Sequence, residues 1–272
     1  MRSSNPVMKT LTAPQGHGRP DAYLQDPYSQ ASYGQQQAGT YERPMTVDDV
    51  VTKTGITLGV IVAFALVNFG ITVAGSPQIT YLLAMVGAIG GLITVLVATF
   101  GRKFGSAAVT LIYAGFEGLF VGGISVILSG FGSTRGFDAG VLIGQAVLGT
   151  IGVFLGMLFA YKTGAVKVTP RFTRILTACL IGVVVLALGN AVLAIFFGTN
   201  PLTNGGPLAI IFSLVCIGLA AASFLVDFDS ADKMIRAGAP ANYAWGIALG
   251  LAVTLVWLYT EILRLLSYFQ QR

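Results

Sequence analysis

The sequence predicts an all-α polytopic membrane protein, a bundle of seven transmembrane helices, on three observations. Seven apolar runs are each long enough to cross a hydrocarbon core of roughly 30 Å at about 1.5 Å per residue. Of the 272 residues, 54% are hydrophobic and 10% are charged, against roughly 25% charged in a soluble domain. Lysine and arginine concentrate on alternate turns between the runs, as the positive-inside rule requires of spans that cross back and forth.

The first element is polar. Residues 1–44 include the stretch SYGQQQAGTYERP and the prolines Pro14, Pro20, Pro27 and Pro44. Such a composition buries too little surface to offset the entropy of ordering. It is read as a disordered cytoplasmic N-terminal tail, either a solvated extension or a tyrosine-rich docking segment. No apolar run lies near the start, so no cleavable signal peptide is expected.

Residues 45–272 form the seven-helix transmembrane domain. Thr46 followed by Asp49 has the spacing of a helix N-terminal cap, and Asp48 and Asp49 suit the positive end of the helix dipole. A short interfacial helix is expected there, leading into the first span. The spans are placed at about 55–75, 79–100, 105–130, 139–161, 173–198, 207–228 and 242–269. Gly75-Ser76-Pro77 turns the chain between the first two, and GTNPLTNGGP between the fifth and sixth. With the N-terminus inside, ten basic residues flank the inner ends: Arg43, Lys53, Arg102, Lys103, Lys162, Lys167, Arg171, Arg174, Lys233 and Arg236. Only Arg135, Arg264 and Arg272 fall outside or near it. The N-terminus is therefore expected in the cytoplasm, the C-terminus outside the cell membrane.

Thirty-five glycines are many for helices. In lipid, small residues let backbones approach, and the pairs Gly118/Gly122, Gly140/Gly144, Gly152/Gly156 and Gly246/Gly250 fit that use. Cys179 and Cys216 both fall in apolar runs, where cysteine acts as a small packing residue. The single histidine, His17, lies in the tail. Intramembrane Ser-His or Cys-His catalysis and an ordinary zinc site are thereby excluded, and no enzyme activity or cofactor is expected. The net charge of +5 follows from topology rather than from nucleic-acid binding.

The stretch YAGFEGLFVGGIS, residues 113–125, carries one acid, Glu117, near the middle of the third span. A charge at that depth costs about 3 kcal/mol on insertion scales. Such an acid holds its proton or finds a partner, and in either case faces the bundle interior; structural and functional roles both remain open for it. Asp227 and Asp229 sit at the inner end of the sixth span, with Asp232 beyond. Glu261 and Arg264 lie three residues apart in the outer half of the seventh, spaced for a local ion pair. Asp138 opens the fourth span as an interfacial residue. Carboxylates without histidine or cysteine suit hard cations or proton transfer.

The stretches MTVDDVVTKTG, YAGFEGLF, VDFDSADKMIRAGAP and WLYTEILRLL together resemble the Bax inhibitor-1/YccA family, in particular a bacterial branch with an N-terminal extension. The resemblance covers about residues 46–270. It implies a bundle whose last helix is central, largely surrounded by the other six. It also implies a pair of acids on the last two helices, linked in the family to pH-sensitive calcium leak. Asp229, in FDSADKM, and Glu261, in LYTE, match those two positions. Their separation of 32 residues puts Glu261 about 30 Å along a seventh helix that starts near Ala241. A direct pair then requires that helix to extend into the cytoplasm, and Glu117, Arg264 and Asp227 complete the candidate ion pathway and pH sensor. Two functions follow as expectations. One is a pH-gated leak for calcium ions across the inner membrane. The other is a membrane-embedded regulator of stress responses or of a membrane protease, acting by protein–protein contact.

Overall fold

The structure, a computed structural model, describes residues 43–101, 103–131 and 138–270. The expected tail up to residue 42, His17, Arg102, Arg135 and Arg272 lie outside the described residues. The helices are α1 (Val47–Val73), α2 (Pro77–Phe100), α3 (Ala107–Ser129), α4 (Ala139–Lys162), α5 (Pro170–Phe197), α6 (Pro207–Arg236) and α7 (Ala244–Gln270), with a 3-10 turn at Ala241–Tyr243 before the last. All seven are long and apolar enough to cross a membrane.

Local chemistry sets the helix starts. Thr46 Oγ1 accepts from Asp49 N–H, and Asp49 returns the bond to Thr46 N–H at 2.9 Å. The Arg43 guanidinium grips the same carboxylate at 2.6 and 2.9 Å. This reciprocal cap begins α1 itself, which then runs unbroken; the separate interfacial helix expected from the sequence is absent, because nothing interrupts the backbone hydrogen bonding between Val47 and Val73. Asp138 caps α4, its Oδ1 accepting from Gly140 and Val141 N–H. Pro77, Pro170 and Pro207 each occupy a first helical position, where the missing N–H costs nothing.

α6 departs most from its expected limits. It spans 30 residues, about 45 Å, and continues eight residues beyond the apolar run ending near 228. Lys233 pairs with Asp229 at 2.6 Å and Arg236 with Asp232 at 2.9 Å, both one turn apart. These i,i+4 pairs and the basic residues in the last turn favour helix, so the acids lie within α6, not at its frayed end.

α7 is the central element. Sixteen of its 27 residues are buried, and it packs against α1, α3, α4 and α6. The expected enclosure by all six is therefore reduced to four principal neighbours, with α2 and α5 outside them. α3 is held by glycine contacts: a Cβ at Gly118 would meet Ile61 O of α1 at 2.5 Å, and one at Gly122 would meet Ala65 O at 2.5 Å. On its other face, a Cβ at Gly87 of α2 would meet Phe116 O at 2.5 Å. Of the four expected pairs, Gly118/Gly122 makes this close approach along its whole length. Gly144, Gly152, Gly156 and Gly250 have open space around them, since small size permits contact without supplying a partner helix.

A backbone clasp closes the end of the bundle that carries the basic residues, called here the basic end. Met45 N–H donates to Ala239 O at 2.8 Å, and Ala241 N–H to Arg43 O at 3.0 Å. Pro44 and Pro240 form the resulting antiparallel bridge. Lys53 Nζ donates to Ala241 O and lies 5.6 Å from the centre of the Trp245 ring. The chain just before α1 is thus fastened to the loop that launches α7.

Candidate functional site

The candidate site is the α6–α7 interface, because two carboxyl–hydroxyl hydrogen bonds cross it, one carboxyl from each helix. Glu261 is 5% exposed. Its Oε1 accepts from Arg264 at 2.8 Å, and its Oε2 accepts from Ser213 Oγ of α6 at 3.1 Å. The expected ion pair between residues 261 and 264 therefore forms, and α6 adds a hydroxyl to it. The Arg264 side chain is 23% exposed. A carboxylate and a guanidinium of this burial hold each other in place, since either one alone would carry an uncompensated charge.

Asp227 forms the second contact. Thr254 Oγ1 of α7 donates to its Oδ2 at 2.8 Å. Thr254 and Glu261 are seven residues apart on α7, about 10 Å by helical rise. Along the central helix, then, two carboxyls are each met by a hydroxyl across the same interface.

Asp229 lies elsewhere. It pairs with Lys233 on its own helix, while its neighbour Asp232 accepts from Tyr161 of α4 at 3.4 Å. The structure does not bring Asp229 and Glu261 together, in keeping with their 32-residue separation. The α6 acid that reaches α7 is Asp227, since two residues on a helix turn the side chain about 200°. Glu117 is half-buried on α3. Its Oε2 lies where a Cβ of Gly91 would be 2.8 Å away, with the Tyr113 ring alongside. It uses the space left by a missing side chain on α2, a helix outside the four principal neighbours of α7. The acids thus have different partners: Thr254 for Asp227, Ser213 and Arg264 for Glu261, and Lys233 for Asp229.

Several further polar groups meet across the helices. Ser213 and Thr254 supply the hydroxyls at the two carboxyls. Ser125 Oγ of α3 and Tyr259 OH of α7 share a hydrogen bond at 2.7 Å. Asn68 of α1 is fully buried and donates to Leu119 O at 2.6 Å, while Thr80 Oγ1 donates back to Asn68 O at 3.2 Å. Asn68 was findable by the reasoning applied to the acids, because an amide inside an apolar run also needs partners. Serines and threonines give no such signal, since their hydroxyls can bond within their own helix, as Thr94 and Thr150 do.

No curated protein and no solved structure matches the chain. The family model described as Bax inhibitor 1 like matches residues 21–271, which takes in every helix and both carboxyl contacts of α7. This multi-pass seven-helix chain belongs to the Bax inhibitor 1 like family.

Proposed function

We propose that the protein is a pH-sensitive leak pathway for cations, calcium in particular, with α7 as the element that carries the gate. The observation that carries this reading is the pair of carboxyl–hydroxyl contacts, Asp227–Thr254 and Glu261–Ser213, on the buried helix. Protonating a carboxyl removes the charge that attracts a cation. At Glu261 it also strips Arg264 of its counter-charge, leaving a cation that repels other cations. Loss of a proton restores the attracting charge at either acid, and at Glu261 it also restores the counter-charge of Arg264. The protein is placed in the cell membrane with the basic end in the cytoplasm and the C-terminus outside. It has no catalytic role in this reading.

Calcium entry into proteoliposomes, followed across a pH series, tests the proposal. Glu261→Gln and Asp227→Asn are expected to flatten the pH response, while Asp229→Asn leaves it in place. Parent-like profiles in both of the first two variants would sink the mechanism.

The clasp supports a second reading, a regulator of a membrane protease or of a stress response that acts through its N-terminal residues. Residues 43–45 bond to the loop that starts α7, so a partner engaging the preceding residues would pull on the central helix. Deleting residues 1–42 leaves the clasp intact. A regulator loses a co-purifying protease on that deletion, whereas a leak pathway goes on conducting.

A further inference from the structure

The groove between α5 and α6 at the basic end has a composition that neither reading uses. It encloses about 650 Å³ and is lined by Thr169, Pro170, Arg174, Thr177 and Ile181 of the α5 region and by Lys233 of α6, among others. The polar and charged groups gather at one end. Lys233 is bound to Asp229 through one of its three donors, and its side chain is 72% exposed. Arg174 forms no ion pair among the described residues. Thr169 uses its side-chain oxygen to cap α5, and the helix dipole adds positive potential at that terminus. The opposite end of the groove, at Ala178 and Ile181, is apolar.

The dimensions match one leaflet. From Pro170 to Ile181 is eleven residues, about 16 Å of helix, against a half-thickness of roughly 15 Å for a bilayer core. α5 has one buried residue, Leu176, and joins the bundle mainly through α6. Something must fill the space beside it in a membrane. A neutral lipid would give Arg174, which forms no ion pair among the described residues, no counter-charge. A free anion would leave the apolar floor empty.

We infer that this groove binds an anionic phospholipid of the leaflet at the basic end. Its phosphate sits between Arg174 and Lys233, and one acyl chain runs down α5 past Ile181. Arg174 supplies planar paired donors for phosphate oxygens, and Lys233 shares its ammonium between Asp229 and the lipid.

Native mass spectrometry of the full chain tests the assignment, with dioleoylphosphatidylglycerol and dioleoylphosphatidylcholine as probes. The parent is expected to retain the anionic lipid and lose the zwitterionic one. Arg174→Ala should weaken retention about fivefold, the worth of one basic residue at an anionic lipid surface. Arg171→Ala removes a charge from the same helix outside the groove and should leave retention unchanged. Ile181→Trp fills the floor with no change of charge and should also release the lipid. Equal retention of both lipids, equal losses from Arg171→Ala and Arg174→Ala, or displacement of the lipid by inorganic phosphate would each overturn the assignment.

Discussion

α5 and α7 invert the rule that governs soluble cores. α5 is the most apolar of the seven helices and α7 the least, yet one residue of α5 is buried and sixteen of α7 are. In water the most apolar helix would be sequestered. In lipid the acyl chains solvate Ile, Val and Leu as well as a neighbouring helix does, and polar groups are what need an interior. α7 is central because Thr254, Tyr259 and Glu261 each take a hydrogen-bond partner from another helix: Asp227 and Ser213 of α6, and Ser125 of α3. α5 stays outside because almost nothing on it demands company.

The sharpest way to break this comparison is to remove the charge that most depends on burial. Glu261→Leu leaves Arg264 without a counter-charge inside the bundle and is expected to destabilise the protein by about 3–5 kcal/mol. Ile195→Ala on α5, at a side chain 77% exposed, should change stability by less than about 0.5 kcal/mol. Thermal unfolding in a mild detergent reads both, and similar shifts would refute the contrast.

Glycines give the next largest effect. Gly118→Leu drives a side chain into the α1 backbone at Ile61 and should cost about 1–3 kcal/mol by overpacking. Gly182→Leu on α5 meets nothing within 4 Å and should be neutral or mildly stabilising, because leucine is the better helix former. If both variants lose the same amount, α3 is not held by backbone contact with α1.

Hydrogen bonds across α6–α7 come third. Thr254→Val keeps the shape and removes the donor to Asp227, for an expected loss of about 1.5 kcal/mol. Asp227→Asn combined with it should give a non-additive total, because the two side chains form one interaction. Additive losses would separate them.

The smallest expected effect is at Asp229, the acid the resemblance favoured. Its pairing with Lys233 is a one-turn contact on α6, so Asp229→Asn should cost less than about 0.5 kcal/mol in stability. A larger loss would restore it to the interior machinery.

Much of the fold was legible in the chain. The Thr46–Asp49 cap and the turn at Gly75-Ser76-Pro77 follow from local chemistry that needs no tertiary partner, whereas Asp138, expected only as an interfacial residue, proves to cap α4. The far end of α6 was not legible from hydropathy, because its last two turns are held by ion pairs rather than by apolar character. At the site, Glu261 and Arg264 could be paired on paper because three residues bring two side chains to one helix face. The choice of Asp227 over Asp229 could not be made, since it depends on how α6 is rotated against α7.

By itself, the sequence determined the seven spans, the distribution of basic residues between the two ends and the few acids that must avoid lipid. Each of those is a property of a single segment in a given solvent. Only the tertiary structure decided which helix lies at the centre, which glycines touch a neighbour and which hydroxyl meets each carboxyl. Those outcomes depend on the rotation and depth of one helix relative to another, and seven similarly apolar helices leave both to be set by a handful of polar and small residues acting together.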